Sequence, residues 1–156
     1  MIVGITGERG VGKTTVLKKV ITRLDGAYGV ISERFDGGFY VEDLKTGEKV
    51  VLASEREPIG FKLRKFYFNP EALAFMERAL QREGKVLVYD EIGYLELLGY
   101  FDVFKYLQGD CLLILRKDLL GEITKRVKLD VLFEVTIGNR DRVWEEILSY
   151  FTDQRE

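Results

Sequence analysis

The chain has 156 residues, no histidine and a single cysteine, Cys111. Without histidine there is no Ser-His or Cys-His relay and no imidazole base. Proton transfer therefore falls to Asp, Glu, Lys, Tyr or the one thiol. Zinc centres built from Cys and His are excluded on the same ground. A lone cysteine closes no disulfide within the chain, which points to a reducing compartment and to the cytoplasm as the expected location. Proline occurs twice, Asn and Gln are few, and charged residues make up 32%; this composition leans towards a thermophilic source. No apolar run approaches the roughly 18 residues of a membrane span. The opening MIVGITGERG has neither the charged start nor the cleavage site of a signal peptide. A net charge of −2 gives no general basic excess, so overall charge supports neither a membrane surface nor a nucleic acid as partner.

What is present fits one domain spanning residues 1–156, with 46% hydrophobic residues to build a core. MIVGIT reads as a buried strand, and TTVLKKVITRL as a helix with Val16, Leu17, Val20, Ile21 and Leu24 on one face. YGVISERF is a second strand, and FYVEDL and EKVVLAS around KTGE form a hairpin. PIGFKLRKFYF is ambiguous or extended. NPEALAFMERALQRE is a helix with Asn69 as N-cap and Pro70 at its first position. KVLVY, DCLLILR and VLFEVT are further buried strands, LELLGYFDVFKYL and LLGEITKRV read as helical, and NRDRVWEEILSYF as a closing amphipathic helix. Apolar strands alternating with helices predict a three-layer α/β fold. Its sheet is expected to be five-stranded and mostly parallel, with a small β-hairpin insertion.

GERGVGKT matches G-x-x-x-x-G-K-[ST] and sits between an apolar strand and a helix, the context this motif requires, which makes the expected α/β fold a P-loop NTPase fold. A triphosphate carries several negative charges. A loop that wraps it must turn backbone N–H groups inward, which calls for residues that tolerate unusual dihedrals. The loop as a whole, Gly7, Glu8, Arg9, Gly10, Val11 and Gly12, is expected to line the nucleotide phosphates. Lys13 would reach the β- and γ-phosphates, and Thr14 would offer its hydroxyl to Mg²⁺. Thr15 would stand near the α-phosphate. With this loop present, the acids that end VLVYDE acquire roles. Asp90 is expected on the metal and Glu91 as the base that activates water. The alternatives are a solvated strand end for Asp90, and a turn cap or an arginine partner for Glu91.

GERGVGKTT, DEIGYLEL and FEVTIGNRD together resemble the THEP-type nucleoside-triphosphatases, also called the cancer-related nucleoside-triphosphatase family, from Met1 to about Leu148. The resemblance implies Mg²⁺-dependent hydrolysis of nucleoside triphosphates, with phosphates and metal bound by the loop, Asp90 and Glu91. It aligns Glu96 with the second acid of the family's segment. It implies that Asn139 and Arg140 contact the base or ribose. Two departures stand out. In GVISERF, Arg34 replaces an acid, and where the family has an ATIP-like stretch this chain has LILRKD. Arg116 there is a candidate for stabilising transition-state charge; the alternative is a solvated Arg–Lys pair beside Asp118.

Two other functions fit the same residues. One is a nucleotide or small-molecule kinase with an acceptor pocket near Ser32 and Glu33. The other is a nucleotide-dependent module that binds nucleic acid or protein, for which the basic and aromatic KLRKFYF (Lys62 to Phe68) is the one supporting stretch. A nucleoside triphosphate is the expected ligand in all three, and no oligomeric state is implied.

Overall fold

The computed structural model describes residues 1–152. In chain order its elements are β1 (Ile2–Thr6), α1 (Lys13–Ile21), β2 (Ala27–Phe35), β3 (Gly38–Asp43), β4 (Lys49–Ser54), β5 (Phe61–Leu63), β6 (Phe66–Phe68), α2 (Pro70–Leu80), β7 (Val86–Ile92), α3 (Tyr94–Leu97), β8 (Asp110–Leu115), α4 (Leu120–Ile123), β9 (Val131–Glu134) and α5 (Val143–Ser149). They fall into two compact units, residues 1–27 with those from 84 onward, and residues 28–83.

The first unit holds β7, β8, β1 and β9 in that order, all parallel. Strands covered on both faces need apolar residues at nearly every position. Accordingly Val3, Ile5, Leu87, Val88 and Leu112 through Leu115 are all buried. α1 buries Val16, Leu17 and Val20 and packs against α5, which buries Val143 and Ile147. The Arg23 guanidinium lies 4.3 Å from the Trp144 ring centre. Because the strands are parallel, the carboxyl ends of β1, β7, β8 and β9 share one edge, where ligands of open α/β sheets bind.

The second unit is antiparallel throughout, in the order β5-β6-β4-β3-β2. Asp43, buried at the end of β3, accepts from Arg82 Nε at 2.7 Å and from the Lys45 amide at 2.9 Å. α2 packs on β3 and β4, and its cap is the expected one. Asn69 Oδ1 accepts the Glu71 N–H at 3.1 Å while its Nδ2 donates to Val51 O at 3.0 Å.

YGVISERF forms β2, a strand as expected, and pairs antiparallel with β3. Two expectations need correction in detail. The insertion is larger than a hairpin, because PIGFKLRKFYF folds as β5 and β6 and β6 adds to β4. In LELLGYFDVFKYL the α-helix is confined to α3 (Tyr94–Leu97), which starts one residue before the stretch, and a 3₁₀ turn follows at Phe104–Tyr106. Gly99, at φ +85°, ends the first helix in the left-handed conformation that glycine adopts at helix C-termini. The aromatics of KLRKFYF are absorbed locally. Phe61 stacks on Phe68, Phe66 meets Phe68 edge-on, and Lys62 and Lys65 lie over Tyr67 and Phe66. Among the described residues no helix is long and apolar enough to cross a membrane.

The double use of the Asn69 side chain makes it the test of the second unit. Asn69→Ala is expected to lower unfolding free energy by about 1–2 kcal/mol, read from the denaturant midpoint. An unchanged midpoint contradicts the capping role.

Candidate active site

The loop after β1 is shaped by backbone more than by side chains. Gly10 and Gly12 sit at φ +81° and +102°, in the left-handed region that other residues avoid. Gly12 is the N-cap of α1, so the helix begins with no side-chain cap and no acid in its first turn. Its positive dipole end is left for a ligand. Lys13 folds back and donates to Gly7 O at 2.7 Å and Glu8 O at 2.9 Å. Among the described residues the hydroxyls of Thr14 and Thr15 make no hydrogen bond. The Arg9 and Arg140 guanidiniums are in no ion pair there.

The charges around Lys13 locate the other half of the site. Partial burial holds its ammonium below the ordinary lysine value. Glu91, Asp90 and Glu8, in that order of strength, act to raise it, and Arg9 acts to lower it. The carboxylates from the end of β7 thus share the field of the loop lysine. Asp90 is buried and Glu91 is exposed. Between Tyr89 and Ile92 the pairing of β7 with β8 slips by one residue, a bulge, and Glu91 takes φ +76°. Bulges re-aim side chains, and a non-glycine residue held left-handed at a strand end is strain of the kind stored at functional sites.

Behind this bulge lies a pair that sequence reading did not connect. Glu96 is buried, and its carboxylate accepts the Tyr89 hydroxyl and, at 2.8 Å, the Gly93 N–H. Burial drives its acidity down, to a pKa of about 7, against the two hydrogen bonds, which favour the ionised form. The signal in the sequence was a lone acid inside the apolar YLELL.

The remaining strand ends complete the edge. Thr6 Oγ1 donates to Leu115 O at 2.8 Å and ties β1 to β8. Arg116 follows β8. It forms a bidentate pair with Asp118, Nε to Oδ1 at 3.1 Å and Nη2 to Oδ2 at 2.9 Å, and its guanidinium lies 5.0 Å from the Tyr94 ring centre. Lys117 bridges Glu8 of the loop at 2.9 Å and Glu134 at the end of β9 at 2.8 Å. These two carboxylates hold its ammonium well above the ordinary lysine value. Asn139 is occupied in shaping its own turn: Nδ2 donates to Glu134 O at 2.9 Å and Oδ1 accepts the Thr136 N–H at 2.8 Å. Arg140 reaches back towards the loop, where its Cδ lies 3.5 Å from the position a Gly12 side chain would take. The structure therefore gathers Lys13, Asp90 and Glu91 into one electrostatic cluster, sets Arg140 beside the loop, and holds Arg116 and Asn139 in local contacts.

Among the described residues no cluster of three metal-binding side chains exists. The oxygens of Thr14 and Asp90 are hard donors, of the kind Mg²⁺ takes alongside water and phosphate oxygen.

A buried parallel strand, a left-handed glycine loop and an uncapped helix with a lysine at its first position define a P-loop nucleotide-binding domain. A family model described as NTPase matches residues 2–148. Proteins named nucleoside-triphosphatase THEP1 are similar along almost their whole length. The one from Thermotoga maritima is 32% identical over 93% of this chain and 92% of its own, and that from Thermotoga sp. strain RQ2 is 35% identical over the same shares. The crystal structure of THEP1 from the hyperthermophile Aquifex aeolicus superimposes with a TM-score of 0.81 at 26% identity, covering 98% of this chain and all of that one. The chain belongs to the THEP1-type NTPase family.

At Gly12 a Cβ would find room, the nearest atom being Arg140 Cδ at 3.5 Å, so the obstacle to substitution is the dihedral. Gly12→Ala is expected to cost about 1–3 kcal/mol of loop strain and to weaken nucleotide binding by at least about tenfold, measured by fluorescence titration. Wild-type affinity contradicts the loop assignment.

Proposed function

We propose that this NTPase hydrolyses the β–γ phosphoanhydride of nucleoside triphosphates, with Mg²⁺ held by Thr14 and Asp90 and water activated by Glu91. The observation that carries the reading is the meeting of the Lys13 ammonium with the charges of Asp90 and Glu91 at the mouth of a left-handed glycine loop. The names of the Thermotoga relatives support the same reaction.

The steps follow from the side chains. Lys13 exchanges the Gly7 and Glu8 carbonyls for β- and γ-phosphate oxygens, a stronger charge-assisted contact. The N–H groups at the start of α1 and along Gly7, Glu8, Arg9, Gly10, Val11 and Gly12 close around the phosphates. Glu91 takes a proton from a water as its oxygen attacks the γ-phosphorus. The bond from that phosphorus to the bridging oxygen breaks, giving diphosphate and phosphate. When bound, Mg²⁺ spreads the charge that grows on the phosphate oxygens. Thr15 stands by the α-phosphate. Arg116 supplies further positive charge by trading Asp118 for a more highly charged phosphate group. Asn139 sets the turn from which Arg140 reaches the base or ribose. The proposal treats residues 1–156 as one catalytic domain in the cytoplasm, where nucleoside triphosphates are supplied. Both chain segments of the first unit contribute to the site.

Phosphate release from several triphosphates tests this reading. Chelation of Mg²⁺ is expected to abolish turnover, and Lys13→Ala to lose both binding and rate. Glu91→Gln is expected to bind normally while kcat falls about a hundredfold or more; a wild-type rate removes Glu91 as the base. Arg116→Ala is expected to lower kcat with little change in affinity, and unchanged kcat removes that arginine from the reaction.

A further inference from the structure

In the bulge that presents Asp90 and Glu91, Glu91 holds a left-handed backbone at φ +76°. Such a conformation persists only when its surroundings over-determine it. The two residues that bracket the sequence Asp90-Glu91-Ile92 are Tyr89 and Gly93. Both donate to one buried carboxylate: the Tyr89 hydroxyl to Glu96 Oε2 and the Gly93 N–H to Glu96 Oε1. Tyr89 is itself fixed, at 1% exposure, with its ring stacked 6.1 Å from Phe101. Glu96 in turn is anchored on α3, whose first turn it closes back onto Gly93.

We propose that Glu96 is a positioning residue for hydrolysis: its buried carboxylate clasps Tyr89 and Gly93 and so holds Asp90 and Glu91 in the bulged geometry the reaction uses. The proposal rests on the assignment of Asp90 and Glu91 to the reaction.

A residue kept only for stability would not be a buried acid. An ionised group in an apolar setting is costly, and a glutamine of the same shape keeps one acceptor and loses the charge. The groups facing Glu96 are the Tyr89 hydroxyl, the Gly93 N–H and the Glu91 carboxylate. The first two favour its ionised form. Burial and, more weakly, Glu91 oppose it, and the balance leaves the carboxyl titrating near 7. The folded pKa lies above that of an unfolded glutamate, about 4.3. The folded state therefore holds the extra proton between these values and loses stability as pH rises through that window. The clasp becomes a full double acceptor over the same rise. Stability and positioning thus respond to Glu96 ionisation with opposite sign.

That opposition is the test. In Glu96→Gln the amide keeps an acceptor for Gly93 N–H but meets the Tyr89 oxygen with N–H, imitating the protonated acid. At pH 8 the variant is expected to melt at or above the wild-type temperature. Its kcat is expected to fall on the order of tenfold, the loss seen when a supporting partner of a site residue is removed, with KM for the nucleotide nearly unchanged. The wild type is expected to show a rise of kcat near pH 7, and the variant to lose it. Tyr89→Phe, which removes one donor to the charged form, is expected to lower kcat and move that rise to higher pH. Wild-type kcat in Glu96→Gln overturns the proposal, as does a parallel fall of melting temperature and kcat. Should Glu96→Gln not fold, an unshifted pH profile in Tyr89→Phe overturns it. Asp90→Asn and Glu91→Gln run beside these keep the two readings apart. If both retain the wild-type rate, the catalytic assignment fails and the clasp with it. If they lose activity while Glu96→Gln keeps the wild-type kcat, the clasp alone fails.

Discussion

The site depends on one concentration of positive charge: the positive end of α1, with Lys13 as its first residue. Most helices in proteins close their first turn with Ser, Thr, Asp or Asn. Here Gly12 at φ +102° occupies that place and the first turn carries no acid. Lys13 then turns onto two carbonyls of its own loop, a contact that a phosphate can replace with a stronger one. Every other feature of the edge answers to this concentration of positive potential. Asp90, Glu91 and Glu8 all act on the same lysine, and Glu8 also pairs with Lys117, which bridges it to Glu134.

The second constraint is strain. β7 runs as a regular buried strand to Tyr89 and then gains an extra residue against β8. An uninterrupted strand would alternate its side chains across the sheet, sending Asp90 and Glu91 to opposite faces. The bulge breaks that alternation at the two acids that end the strand. Glu96 and Tyr89 close the structure beneath it, so the least regular point of the first unit is backed by one of its best-buried polar pairs. A rigid apolar sheet that carries a short strained tip suits a reaction in which positioning matters more than bond-making by the protein.

Much of this was legible in the sequence because the signals are local. The loop motif between an apolar run and an amphipathic run fixed β1, the glycine turn and α1. Apolar runs marked β7, β8 and β9, and Asn69-Pro70 marked the start of α2. The departures lie in the segments between these runs. PIGFKLRKFYF looked ambiguous because its alternation is broken at Arg64, which turns at φ +59° between two three-residue strands. The helical period of LELLGYFDVFKYL continues past the point where Gly99 ends the helix. At the site, Lys13, Asp90 and Glu91 were readable from motif spacing. The Tyr89–Glu96 clasp and the Lys117 bridge were not, because a hydrogen bond across a bulge and an ion pair spanning 109 positions leave no periodic trace.

A structure of the protein with a non-hydrolysable nucleoside triphosphate and Mg²⁺ tests the central claim most directly. The account predicts that Lys13 Nζ leaves Gly7 O and Glu8 O for β- and γ-phosphate oxygens, with Thr14 and Asp90 on the metal side and Glu91 facing a water in line with the γ-phosphorus. Lys13 still bonded to its loop carbonyls, with the triphosphate bound elsewhere, would contradict it.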